Sequence, residues 1–111
     1  MSEASYDDFT KLDMRVGRIT RVEDFPHARK PAYRLWIDFG ALGIKQSSAQ
    51  ITRLYTQEEL VGRQVLAVVN FPPKRVADFT SEVLVLGVAQ NEGEVVLVQP
   101  ERAAPLGARV F

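Results

Sequence analysis

Tyr33-Arg34-Leu35-Trp36-Ile37-Asp38-Phe39 alternates without a break, with Tyr33, Leu35, Ile37 and Phe39 on one side and Arg34, Trp36 and Asp38 on the other. Successive side chains of an extended strand point to opposite faces, so this period of two predicts a strand with one buried and one wetter face. One residue of register separates Trp36 from the aliphatic set, which turns the only tryptophan outward beside Arg34. Such an indole is either offered to a ligand or covered by the N-terminal helix or a neighbouring subunit. The alternation is compatible with both.

Strand signals dominate outward from this stretch. Met14 to Glu23 reads as a first strand in which Met14 and Val16 share a face and Ile19 falls out of phase. Gly17 lies at the phase break, which predicts a bulge or sharp coil there. Ile44 to Ile51 forms a third strand, unusually polar from Lys45 to Gln50. Val65–Val69, Val83–Val88 and Val95–Val98 are apolar on both faces, as central or lidded strands are. Ser5, followed by Asp7 and Asp8, caps a short helix through Leu12 that sets Phe9 and Leu12 as a lid on the barrel. Thr56 and Glu59 form a capping box for one further helical turn, ended by Gly62. The apolar tail Val110-Phe111 is expected to be tucked into a core or an interface. Together these predict an all-β chain, an OB-type Greek-key β-barrel with a short N-terminal helix and one short helical turn, as a single domain over residues 1–111.

Composition narrows the chemistry. A chain of 111 residues, 46% hydrophobic and 25% charged, matches one ordinary globular core. With no cysteine, a disulfide scaffold, a thiol nucleophile and a cysteine metal site are excluded. The single histidine, His27, sits in the loop Pro26-His27-Ala28-Arg29-Lys30-Pro31 and reads as solvated, so neither a metal site nor histidine catalysis has its residues. Ser47 and Ser48 lack the nucleophile elbow, and Asp7-Asp8, Glu23-Asp24 and Glu58-Glu59 suit caps and strand ends. No glycine-rich phosphate loop occurs. The expectation is a non-enzymatic protein without cofactor or metal. The polar start Met1-Ser2-Glu3-Ala4-Ser5 and the lack of a long apolar run point to the cytoplasm, without membrane insertion.

Net charge is zero, yet residues 11–75 hold 12 Lys and Arg against 6 Asp and Glu, with acidic excess on either side. Such a stretch permits a polyanionic partner and is equally what a solvated surface looks like.

Three stretches resemble the tRNA-binding domain found in small bacterial dimers and appended to methionyl- and tyrosyl-tRNA synthetases. They are Asp13-Met14-Arg15-Val16-Gly17-Arg18-Ile19, Glu58-Glu59-Leu60-Val61-Gly62-Arg63-Gln64-Val65, and Asn70-Phe71-Pro72-Pro73-Lys74-Arg75 followed by Ser81 to Gly87. Within that family the run Phe25 to Gly40, with Ser47-Ser48-Ala49-Gln50-Ile51-Thr52 and Val69-Asn70-Phe71-Pro72-Pro73, is similar to the CsaA subgroup of export-related chaperones. The resemblance implies a cytoplasmic homodimer that binds unfolded preproteins and the export ATPase SecA. Departures from the tRNA-binding pattern, such as Phe25-Pro26-His27-Ala28 and the acid in Ser81-Glu82-Val83-Leu84, favour an apolar ligand over RNA.

A peptide site on such a barrel needs apolar area inside a polar rim. Phe25, Trp36, Phe71 and Phe79, interleaved with Arg34, Ser48, Gln50 and Asn70, are the candidates. Phe71 and Phe79 are equally readable as core. The alternative ligand is tRNA, held by Lys45, Arg53, Lys74, Arg75 and Ser81.

Overall fold

A computed structural model describes residues 2–111. Helix α1 (Tyr6–Thr10) precedes strands β1 (Met14–Asp24) and β2 (Tyr33–Asp38), and a 3-10 turn at Gly40–Leu42 leads into β3 (Ile44–Ala49). Helix α2 (Gln57–Leu60) and strand β4 (Gln64–Val68) follow. The remainder holds short strands: β5 (Lys74–Val76), β6 (Phe79–Ser81), β7 (Leu84–Val85), β8 (Gly87–Ala89) and β9 (Val95–Leu97). The main sheet runs β3-β2-β1-β4-β7, with every neighbouring pair antiparallel, while β5-β6 and β8-β9 form separate hairpins. It curls into a nearly closed barrel of the OB type.

The alternation of β2 decides which residues fill it. Leu35, Ile37 and Phe39 are wholly buried, Tyr33 nearly so, and the intervening Arg34, Trp36 and Asp38 are half-buried. Ile19, Val65, Ala67 and Leu60 complete the interior, the last entering from α2. The α2 capping box is present: the Glu59 backbone N–H donates to Thr56 Oγ1 at 3.2 Å, and the Thr56 N–H donates to Glu59 Oε1 at 3.0 Å.

Several expectations change. The bulge in β1 lies between Ile19 and Arg21, not at Gly17. Val16 is buried although it faces away from Ile19, because the C-terminal segment covers that side of β1. Val16 N–H donates to the Ala108 carbonyl (2.9 Å), and Gly107 N–H to the Val16 carbonyl (2.8 Å). Gly17 serves packing instead: a Cβ there would lie 2.5 Å from Ile37 Cγ2 and 2.7 Å from the Phe39 ring. Helix α1 stops at Thr10 and buries none of its residues fully. It lies along the C-terminal segment, where Arg109 donates to the Thr10 carbonyl (3.1 Å), rather than plugging the barrel. The tail enters no core of its own chain, with Val110 half-buried and Phe111 98% exposed. The run from Val83 to Val88 is split into β7 and β8 at the sheet margin, and Leu84, Val88 and Val96 are exposed. Their two-sided apolarity therefore does not mark central strands of this chain.

The packing of Gly17 gives a direct test. Gly17→Ala forces side chains apart in a filled interior and is expected to cost about 1–3 kcal/mol in urea denaturation, an overpacking penalty. The conservative control is Val61→Ala, at an exposed site outside the core, which should leave the midpoint nearly unchanged.

Candidate functional site

The barrel closes where β3 meets the segment after β6. Glu82 N–H donates to the Gln46 carbonyl (2.8 Å), and Gln46 N–H donates to Glu82 Oε1 (3.0 Å). Ser47 Oγ donates to the Val83 carbonyl (2.9 Å), and Ser48 N–H donates to Ser81 Oγ (3.2 Å). Ser47 is the one buried polar side chain among the described residues, and this bond satisfies it.

Beside this seam lies a groove of about 1170 Å³. Ile51, Val83, Val85, Val95 and Leu97 form an apolar floor. Ser48, Gln50 and Ser81 bring polar groups to its edge, while Arg29 and Lys30 from the loop before β2 and Lys74 and Arg75 from β5 bring four cations. The groove lining among the described residues contains no carboxylate, histidine or cysteine. It can desolvate apolar groups, donate hydrogen bonds and attract anions, but it has no group to carry a proton at neutral pH. No cluster of three or more potential metal-ligating side chains occurs among the described residues.

A second feature lies on the outer face of β2. Phe79 meets Trp36 edge-on at 5.9 Å between ring centres and meets Phe25 at 5.6 Å. The Arg21 guanidinium sits 4.5 Å over the indole, and Arg34 lies 5.7 Å over Phe25. Glu23 pairs with both arginines, which fixes them over the rings. Phe25, Ala32 and Phe79 are buried as a small satellite core, leaving Trp36 half-covered beside it.

The β5-β6 hairpin therefore separates two surfaces. One side faces the groove and the other is pinned to β2 and β3. Gln46 Nε2 donates to the Thr80 carbonyl (2.7 Å), and His27 Nδ1 lies 2.7 Å from Asp78 Oδ2. The His27 hydrogen bond holds the Asp78 carboxyl below its usual range.

The structure thus brings Ser48, Gln50, Lys74, Arg75 and Ser81 together at the groove. Phe25 and Phe79 are buried beneath the hairpin, as supports more than contact area, and Arg34 and Trp36 lie on the outer face. Asn70 is occupied as a tether: its Oδ1 accepts from Asp13 N–H (2.9 Å) and its Nδ2 donates to the Lys11 carbonyl (2.7 Å). Phe71 is exposed but outside the groove lining. Lys45 pairs in register with the inward Ile37 and does not reach the groove. Arg53 packs against the turn at Gly93. Among the residues missed are Arg29 and Lys30, whose adjacency in a proline-flanked loop leading into β2 was the available signal.

Comparison with known proteins fits this geometry. The family model described as "Putative tRNA binding domain" matches residues 14–109. The crystal structure of chaperone CsaA from Bacillus anthracis superposes with a TM-score of 0.95 at 56% identity, covering 99% of this chain and 100% of that one. CsaA chaperone protein from Picrophilus torridus gives a TM-score of 0.92 at 49% identity, covering 98% and 100%. Methionine–tRNA ligase of Nanoarchaeum equitans is 41% identical over 108 residues, but these are 96% of this chain and only 13% of the ligase. The match to the ligase is confined to that portion, whereas the match to the CsaA proteins spans both chains from end to end. The chain belongs to the CsaA type within the tRNA-binding-domain family.

Proposed function

We propose that the chain is a chaperone that holds apolar segments of unfolded preproteins in the groove beside the β3 seam and assists their export. The observation that carries this reading is the apolar floor of Ile51, Val83, Val85, Val95 and Leu97, where aliphatic side chains in or packed against the core border an open groove. Burying three or four client side chains at ~1.5–3 kcal/mol each leaves micromolar affinity after association costs. Gln50 and Ser48 would bond the client's backbone at the rim, and the half-covered Trp36 platform would extend the contact around the hairpin. The likeness to the CsaA chaperones supports the same reading, with SecA as the receiving partner and the cytoplasm as the location.

A homodimer fits the uncovered apolar surface. Val88 and Val96 are cross-strand partners on the β8-β9 hairpin and are 57% and 37% exposed, while Phe111 and Tyr6 are exposed together beside α1. An isologous interface would cover such patches in pairs. Sedimentation equilibrium at micromolar concentration is expected to give twice the chain mass, and a monomer mass would remove the dimer from the reading.

The second reading is a tRNA-binding module, favoured by the family model and by the cations at the rim. Salt separates the two. Binding of tRNA through four phosphate contacts should weaken roughly a hundred-fold between 50 and 200 mM salt, because counterion release drives it. An unfolded apolar peptide with neutral flanks should change little over the same range, and Val85→Glu in the floor should weaken it by about 1–3 kcal/mol. Tight, salt-sensitive tRNA binding with no peptide signal would reverse the order of the two readings.

A further inference from the structure

The groove carries more information about its occupant than its apolar floor. Six of the ten Lys and Arg side chains away from this groove are paired with acids: Arg15 and Arg109 on Asp13, Arg21 and Arg34 on Glu23, Arg102 on Glu101, and Lys11 on Asp8. Arg29, Lys30, Lys74 and Arg75 form no ion pair among the described residues, and all four lie exposed around this one opening, whereas the other unpaired cations, Arg18, Lys45, Arg53 and Arg63, are absent from its lining. Arg75 is held in place by neutral acceptors, donating to the Ala77 carbonyl (3.1 Å) and Thr80 Oγ1 (3.4 Å), so its charge remains uncompensated. Asp78 and Glu82, which flank lining residues in sequence, keep their charge but stand outside the groove lining, turned to other partners. Glu82 accepts the Gln46 N–H at the seam, and Asp78 is bonded to His27.

The cations enter from two sides, Arg29 and Lys30 from the loop before β2 and Lys74 and Arg75 from the β5-β6 hairpin, with the apolar floor in reach of both. An extended polypeptide lying on that floor would present its flanking residues to one or both sets. Like charges placed there are repelled and opposite charges attracted, in a setting where no carboxylate of the lining competes. We propose that the groove selects apolar segments flanked by Asp or Glu and rejects the same segments flanked by Lys or Arg. This rests on the polypeptide-binding reading above and narrows it. An export signal begins with a positively charged stretch before its apolar run. On this proposal that end of a preprotein is disfavoured in the groove, and the chaperone grips acidic-flanked apolar segments elsewhere in the client.

Three fluorescent peptides sharing one apolar centre, with Glu, Ser or Lys flanks, test this by anisotropy at 50 mM salt on the full chain. The Glu-flanked peptide is expected to bind about tenfold tighter than the Ser-flanked one, as two exposed ion pairs of ordinary strength would give, and the Lys-flanked peptide to bind more weakly than both. The double variant Lys30→Glu with Lys74→Glu, both at exposed positions, should reverse that order. Urea denaturation followed by Trp36 emission checks that the variant is folded, and if it is not, the order in the unaltered protein decides alone. Equal binding of all three, or tightest binding of the Lys-flanked peptide, would overturn the proposal while leaving the polypeptide-binding reading standing. An order that persists unchanged in the folded double variant would overturn the assignment of selectivity to this rim. Failure of all three peptides alongside tight tRNA binding would overturn both the proposal and the reading beneath it.

Discussion

A small barrel has to join its first and last strands, and here the joint is made only in part. Between β3 and the segment from Thr80 to Val83, Gln46, Ser47 and Ser48 supply side-chain and backbone bonds that hold the seam. Ser48 marks the end of that joint and also lines the groove, as do Ala49, Gln50 and Ile51 beyond it and Val83 to Gly87 opposite. The polar character of β3 follows from this position. A seam strand needs donors and acceptors facing a segment that is not a regular ladder partner, and Gln and Ser meet that need at several geometries. The same break leaves Val83, Val85 and Leu97 at the boundary between core and groove, so folding and binding draw on one set of aliphatic side chains.

What was legible in the sequence follows from how local each signal is. The β2 alternation and the Thr56–Glu59 capping box depend on residues within one element, and both stand as read. The seam depends on residues 34 positions apart and left no local trace beyond an unusually polar strand. The β5-β6 hairpin was invisible for a different reason. Its turn sits at Ala77-Asp78 without glycine, and Ala77 adopts a positive φ of 52°, a conformation costly for a side chain and held by the pairing around it. Val83–Val88 and Val95–Val98 read as central or lidded strands because they are apolar on both faces, yet Leu84, Val88 and Val96 stand exposed at the sheet margin, and two-sided apolarity alone does not say what covers a face.

The candidate site was legible in the same uneven way. Ser48, Gln50, Lys74, Arg75 and Ser81 were marked by the resemblance, and the fold gathers them at one groove. Arg29 and Lys30 escaped because a loop residue's surroundings depend on where the loop lands, and this loop is held beside β5 by the packing of Phe25, Ala28 and Ala32 on Phe79 and Val76. Asn70 looked like a ligand contact because it is a polar residue beside an aromatic candidate, Phe71, yet both ends of its amide are committed to Lys11 and Asp13.

That satellite core explains how a short hairpin can serve two surfaces at once. Phe79 points from β6 toward Trp36 and Phe25, while Lys74, Arg75 and Ala77 of the same hairpin line the groove. Rigid aromatic packing on one side sets where the cations of the other side stand. The anchor is reinforced at the tip by the His27–Asp78 hydrogen bond, which joins the loop before β2 to the β5-β6 hairpin, the two segments that carry all four rim cations. Acidification that protonates Asp78 removes that bond's acceptor charge. Because the folded state holds this carboxyl below its usual range, the contribution is present above the ordinary carboxylate pKa and is lost as pH falls through the lowered value. Over the neutral range Asp78 stays charged, so the aromatic cluster and Asp78 together keep the groove's basic rim in register with its apolar floor.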